Sequence, residues 1–434
     1  MRALQLLLVL GALVGCAPPA LIRAAQSGDL DAFRTQLGER LRVDGVSAAE
    51  AERVAVAFAR GSVERAAGRD GERFLAALAS CAPLLGRDEI ALALERRAAL
   101  ADELAARAAL VRVAAGLAAP LAYAAQVTSA EPAWRAAAAR SLAVAPVDAE
   151  GERAGAWRRR LLLDLFRDVR EAAAQAASAP RDPADRGPLF DAARRDPDTQ
   201  VRRAAIAALG AAGGRDVVLS LKDLWPGATA QGRQAILGAW AAPACVEAGG
   251  IGQLRRVVEQ EGSGLAVVAA RQLLAVPAGS ADQEAAVGVL LRAVAEGTTA
   301  ARTAAIAAVP LGGAEIAKAL DKAAEAPDEL VAVAALSRLT ELAPSRDRAL
   351  ARLSELARRD GAVGRRARAA LVRAGAQAVL PLLEADVRSP SHIERADAAR
   401  AYARLGQPGR ALHLLGDADA SVRLAAACAL AEDE

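Results

Sequence analysis

The chain has 434 residues, of which 54% are hydrophobic but only 3% aromatic, and its 55 basic and 52 acidic side chains leave a formal net charge of +3. A single globular core of this size ordinarily recruits more Phe, Tyr and Trp, whereas stacked helix pairs pack closely with Ala at their contacts. The composition therefore argues against one large aromatic core and for an elongated all-α protein, and the balanced charge gives no ground by itself for a nucleic-acid binder.

Residues 1–16 read MRALQLLLVLGALVGC. Arg2 gives a cationic start, and the apolar run from Ala3 to Val14 is too short to span a bilayer comfortably, so a cleaved targeting segment is expected. The ending Leu13-Val14-Gly15-Cys16 resembles the lipobox of bacterial lipoproteins. That resemblance implies a signal peptide over residues 1–15, a lipid on Cys16 and a short tether at 16–20. It also implies a periplasm-facing, lipid-anchored place in the cell envelope. The outer membrane is favoured because Ala17 is not the Asp that retains such proteins at the inner membrane in enteric bacteria. An ordinary secretory signal, or a chance apolar N-terminus carrying a Cys, is the competing reading. The tether reaches only about 15 Å, which would keep the adjoining helices near the membrane.

Between residues 21 and 122, LIRAAQSGDLDAFRTQL (21–37), AAEAERVAVAFARG (48–61), ERFLAALASCAPLL (72–85) and an Ala/Leu/Arg stretch (88–118) read as helices. The first is similar to an isolated ankyrin helix pair. This divergent N-terminal region is expected to cap the exposed face of the first repeat of a helical array beginning at residue 123.

From residue 123 to 434 one arrangement recurs. A capping position is filled by Glu131, Asp198, Thr229, Ser263, Thr298, Asp328, Asp360, Ser391 and Asp419, mostly side chains that accept hydrogen bonds from the free N–H groups of a first helical turn. Seven residues later stand Ala138, Ala205, Ile236, Ala270, Ala305, Ala335, Ala367, Ala398 and Ala426. Eleven later stand Leu142, Leu209, Trp240, Leu274, Val309, Leu339, Leu371, Tyr402 and Leu430. Positions four apart share a helical face, so a small and a large residue form one buried stripe. From Asp198 onward the caps are separated by 31, 34, 35, 30, 32, 31 and 28 residues, a period that signals a solenoid. A second helical segment lies between successive stripes, making each repeat a helical hairpin. Helix pairs stacked at about 10 Å would carry the far end on the order of 100 Å from the tether.

The segments DPDTQVRRAAIAALG (196–210), GTTAARTAAIAAV (297–309) and DADASVRLAAACAL (417–430) resemble the HEAT repeat family, in particular its short Ala-rich class similar to the bilin-lyase repeats. The resemblance implies a right-handed α-solenoid, a superhelix of HEAT-like hairpins, over 123–434. Residues 146–180 read as helical but out of register, Arg366 and Asp397 replace the usual Ala at the sixth position, and 399–415 also looks like a tetratricopeptide unit.

Little catalytic chemistry is available. His392 and His413 are the only histidines and Gly-rich phosphate loops are absent, so a multi-histidine zinc or iron site is excluded by counting. No catalytic residue, metal or cofactor is expected. With Cys16 lipidated, Cys81, Cys245 and Cys428 remain, an odd set that reads first as buried small thiols, with one disulfide open in an oxidising periplasm. Trp225 and Trp240 read as core. Arg158-Arg159-Arg160 and Arg365-Arg366 read as solvated helix faces.

The recurrent polar signal is the position four after each cap, where Arg135, Arg202, Arg233, Arg302, Arg395 and Arg423 stand. They read first as an Asp/Thr–Arg ladder through the turns, with a cationic binding stripe as the alternative. Arg203, whose counterparts follow no pattern, is the residue of that stripe to test against a specific partner. Function then reads as a non-catalytic envelope scaffold that binds protein partners and reaches the membrane through its lipid, with no nucleic acid expected. The alternatives are a HEAT-type enzyme or ligand-binding protein, bilin lyase-like or nucleic-acid-acting, and a cytoplasmic scaffold if Cys16 carries no lipid.

Overall fold

The computed structural model describes residues 19–42, 45–100, 127–143, 149–179, 182–260 and 263–432; Cys16 and the apolar run before it lie outside the described residues. Helices and turns account for all regular structure among these residues, with no strand. The chain is an all-α repeat protein built of stacked helical hairpins. It divides into two compact units, Met1–Val113 with Leu383–Glu434, and Ala114–Leu382.

In chain order the N-terminal helices are α1 (Ala20–Ser27), α2 (Leu30–Leu41), α3 (Ala48–Glu64), α4 (Gly68–Leu78), α5 (Ala82–Leu85) and α6 (Asp88–Leu100). Asp29 and Ser47 start α2 and α3 by accepting first-turn N–H groups. Gly61 lets α3 cross α1 at backbone contact, because a Cβ there would strike the carbonyl oxygen of Ala25. Phe33 and Phe58 meet at 4.9 Å between ring centroids and fill the space between α2 and α3.

The second unit begins with α7 (Pro132–Ser141), α8 (Ala149–Leu161), α9 (Arg167–Ala176), α10 (Arg186–Arg195), α11 (Thr199–Ala212), α12 (Arg215–Leu224) and α13 (Ala230–Trp240). It continues through α14 (Pro243–Val246), α15 (Gly250–Gln260), α16 (Ser263–Ala275), α17 (Ser280–Glu296), α18 (Thr299–Ala308), α19 (Ala314–Ala324), α20 (Glu329–Leu339), α21 (Arg346–Leu356) and α22 (Gly361–Arg373). The stripe-bearing helices α7, α9, α11, α13, α16, α18, α20 and α22 each pack on the next of the series, and most of their hairpin partners pack alongside. After α23 (Leu380–Val387) come α24 (His392–Arg404), α25 (Pro408–His413) and α26 (Ala420–Ala431), where α24 packs on α26.

All nine residues at the seventh position are fully buried. At the eleventh, eight are buried, and Leu274 is half-exposed because Leu273, at 0% exposure, takes the inward place in α16. The caps divide. Asp198, Thr229, Thr298, Asp328 and Asp419 accept first-turn N–H groups, whereas Glu131, Asp360 and Ser391 occupy the cap position without a side-chain bond.

Four expectations are corrected. The 146–180 region contains a repeat in register: Phe166 stands at the cap of α9, Arg170 four later, and the buried Ala173 and Ala177 at the stripe positions. A Phe where a polar cap belongs, and an Ala where a large residue belongs, conceal it. Arg158 is no solvated residue, since it is 1% exposed and donates from Nε to the equally buried Asp185 at 2.9 Å and from Nη1 to the Leu142 carbonyl at 3.0 Å. Cys81 and Cys428 are joined in a disulfide, and only Cys245 is a free buried thiol among the described cysteines. Finally, the last repeat does not stand far from the N-terminal helices: α26 packs on α3, α4 and α5.

Within that unit the docking is apolar and polar together. Val422, Leu424, Ala425, Ala426 and Ala427 of α26 are buried. Arg34 Nε donates to the Gly416 carbonyl at 2.9 Å, Arg87 Nη2 to the Ala431 carbonyl at 3.1 Å, and Arg423 pairs with Asp70. The N-terminal helices thus cover the last repeat.

Candidate interaction surface

Five of the repeated turns are held by a relay that starts two residues before the cap. Ser129, Asp164, Asp196, Ser389 and Asp417 each accept the backbone N–H of the cap residue, at 2.8 to 3.3 Å. Six residues after each stands an Arg that folds back over its own turn. Arg135 donates to the Ser129 and Ala130 carbonyls at 2.8 and 3.0 Å, Arg202 to those of Asp196 and Pro197, and Arg423 to those of Asp417 and Ala418. The remaining fork reaches the next repeat. Arg135 grips Asp164 at 2.7 and 3.0 Å, Arg170 grips Asp196 at 2.7 and 3.0 Å, and Arg395 grips Asp417 at 2.8 and 3.0 Å. Such bidentate pairs fix both distance and orientation.

Arg135, Arg170 and Arg395 therefore meet the acid of the next turn, and the other arginines are held elsewhere. Arg202, for example, bonds Thr199 at 2.9 Å and not Asp198. Arg233 donates to the Trp225 and Pro226 carbonyls and lies 5.5 Å over the Trp225 ring, and Arg302 donates to the Val294 carbonyl. Trp225 stacks on the buried Trp240, whose Nε1 donates to Val218 at 3.3 Å. Where Gly364 replaces the Arg, a Cβ would strike the Arg359 carbonyl oxygen, and Arg368, one turn further on, donates to Ala357 instead. The missed residues Asp164, Arg170, Asp196 and Asp417 carry a sequence signal, an Asp or Ser six before an Arg, that a search anchored on the caps passes over.

Electrostatics follow the same geometry. Burial pushes the Asp164 carboxyl up, but the bonds from Arg135 and the Phe166 N–H outweigh it and hold it below the usual carboxylate range. The Arg255 bond does the same to Asp282 against a smaller burial effect. Burial pushes the Cys245 thiol up to about 11.

Arg203 is placed differently from the other six. It is exposed on α11 and donates to Gln200 Oε1 at 3.1 Å, as Gln175 on α9 does to Glu171 at 3.0 Å. These two intrahelical pairs rim a groove of about 480 Å³ across α9, α11 and α13, whose floor includes Ala204, Ala207, Ala211 and Gly238. The exposed Ala207 and the half-buried Ala204, Ala211 and Gly238 leave room for another chain's backbone. In the other unit His413 is exposed on a cleft of about 1050 Å³ beside Tyr402 and Arg410, and Arg410 is held by Glu384 at 2.7 Å. Among the described residues no three His, Cys, Asp or Glu side chains converge as a metal group would need, and no helix is long and apolar enough to cross a membrane.

The sequence matches no protein-family model and no curated protein. Among solved structures it is similar to importin beta (TM-score 0.36, 16% identity, 89% of this chain and 62% of that one). It is also similar to Kap121p bound to Pho4p (0.34, 14%, 89% and 48%) and to She4p (0.32, 9%, 89% and 71%). The chain thus spans less than two thirds of importin beta and about half of Kap121p. The repeat architecture rests on the chain's own helices.

Proposed function

We infer that the protein is a non-catalytic scaffold of HEAT type that binds a protein partner along the exposed face of its stripe-bearing helices, lipid-anchored at Cys16 in a bacterial cell envelope. The observation that carries the scaffold reading is the groove across α9, α11 and α13: a small-residue floor on α11 and α13, rimmed by Glu171, Gln175, Gln200 and Arg203. A floor of that kind admits a helix or an extended segment, and a paired polar rim can orient it. The ladder arginines serve the framework behind it, since their donors are engaged within the chain. Support for the envelope comes from the lipobox-like ending and from the Cys81–Cys428 disulfide, a bond that persists in oxidising compartments.

A photo-reactive amino acid at Ala207 tests the groove in cells. The expected result is a cross-linked polypeptide that disappears with Arg203→Glu, while the same group at the exposed Lys222 gives none; equal adducts at both positions would sink the reading. Lipid labelling of wild type against Cys16→Ala tests the anchor, and an unlabelled, soluble wild type would remove it.

A further inference from the structure

The turn between α8 and α9 breaks the rule its sister turns obey. Where they place Pro197-Asp198, Pro390-Ser391 and Ala418-Asp419, this turn places Leu165-Phe166. Leu163 is 83% exposed, Leu165 93% and Phe166 50%. Phe166 cannot cap, and α9 starts without a side-chain cap bond, so a stabilising contact has been exchanged for an apolar surface. The turn is nonetheless rigid: Asp164 is gripped by Arg135 and accepts the Phe166 N–H, and Arg170 donates to the Asp164 and Leu165 carbonyls at 2.9 and 3.1 Å. Local rules broken on an otherwise well-held frame mark functional surface.

Among the charges around it one cation is left unengaged. Arg160 is exposed, with no hydrogen bond or ion pair from its side chain among the described residues. Arg167 is exposed and shared with Asp168 at 3.2 Å and Asp198 at 3.5 Å, while Asp164 is occupied by Arg135. The geometry points to this turn as a membrane-contacting wedge, Leu163, Leu165 and Phe166 entering the interface of an anionic phospholipid bilayer while the unengaged Arg160 meets its phosphates. Leu163 and Leu165 stand almost free of the protein, a convex arrangement suited to a soft apolar medium. Shallow apolar insertion with basic residues at headgroup level is the physics of interfacial binding. The wedge goes beyond the scaffold reading and does not depend on a lipid at Cys16.

The test uses the full-length chain carrying Cys16→Ala, so that no lipid contributes and the leader is common to every variant. Vesicles contain phosphatidylethanolamine and phosphatidylglycerol, and an environment-sensitive fluorophore is placed at Leu165→Cys or, for comparison, at Leu219→Cys. On vesicles, spin-labelled acyl chains are expected to quench the label at 165 and not at 219. Combining Leu163→Ser, Leu165→Ser and Phe166→Ser should weaken partitioning at least about tenfold with helicity unchanged, given the apolar surface removed. Arg160→Ser or omission of phosphatidylglycerol should weaken it less. A label at 165 that stays open to a water-soluble quencher on vesicles, or a triple variant that partitions as its parent does, would overturn the wedge. Shielding of that label by membrane-free extract but not by vesicles would overturn it in favour of a protein partner. Failure of wild type to take lipid at Cys16 would remove the anchor alone.

Discussion

Arg158 and Asp185 show what one buried pair demands. Both are 1% exposed, and the guanidinium is further held by the Leu142 carbonyl. Removing Asp185 leaves the buried Arg158 with only Asp182, at 3.7 Å, as an acidic partner and takes a partner from Arg159, and breaking a buried pair in this way costs up to about 3–5 kcal/mol. Asp185→Ala should therefore lower the urea midpoint sharply, whereas Arg158→Met with Asp185→Leu should restore much of the loss; equal midpoints for the single and double variants would contradict this. Acid acts through the same type of contact. Asp164 and Asp282 are held below their ordinary range when folded, so their contribution is complete above the unfolded value of about 3.9 and is lost as pH falls through the depressed folded values. Asp164→Asn should flatten the stability–pH curve below about pH 4, read from urea midpoints across that range. None of this pairing was legible in sequence. Asp185 lies 27 residues from Arg158, and three consecutive arginines resemble a solvated face until the fold brings the acid in.

At the scale of the helix, legibility depended on which rule each position obeys. The seventh position is Ala or Ile in all nine recognised repeats and always buried, because two helices crossing closely leave no room for more, and that uniformity exposed the solenoid. The α9 repeat escaped because Phe166 and Ala177 depart from the pattern at two of the three positions that defined it. The turn relay escaped too, because its acids lie outside the helices whose periodicity was followed. Phe166→Asp, which gives α9 the cap its sisters have, should raise stability by about 1 kcal/mol and raise Tm in a thermal melt. A fall in Tm would mean that the Arg135–Phe166 stacking at 5.6 Å outweighs the restored cap. In the groove, the residues came into view only in part. Arg203 was distinguished by its irregularity, whereas Glu171, Gln175 and the Ala floor have no common sequence mark, since a surface shared by three helices is a property of their stacking.

For the whole molecule, the contacts that periodicity could not announce are those between α26 and the N-terminal helices. Cys81 and Cys428 are separated by 347 residues, and nothing in a local repeat pattern specifies partners so far apart. The bond closes a very long covalent loop, and its removal should cost about 2–5 kcal/mol. Cys81→Ala with Cys428→Ala, or mild reduction, should deprotect α26, α3 and α4 together in hydrogen exchange while helices of residues 114–382 keep their protection. Uniform deprotection across the chain would show that the two units unfold as one.

The docking of α26 also sets an order of events during synthesis. Helices α3 to α5 leave the ribosome before α26, and the face they present to it waits uncovered while the more than three hundred residues between them are made. A solenoid that merely added hairpins could finish its first part while its last was still being translated. In this protein a chain interrupted anywhere before Ala420 lacks the cover for α3 to α5, so the apolar surface of those helices stays exposed.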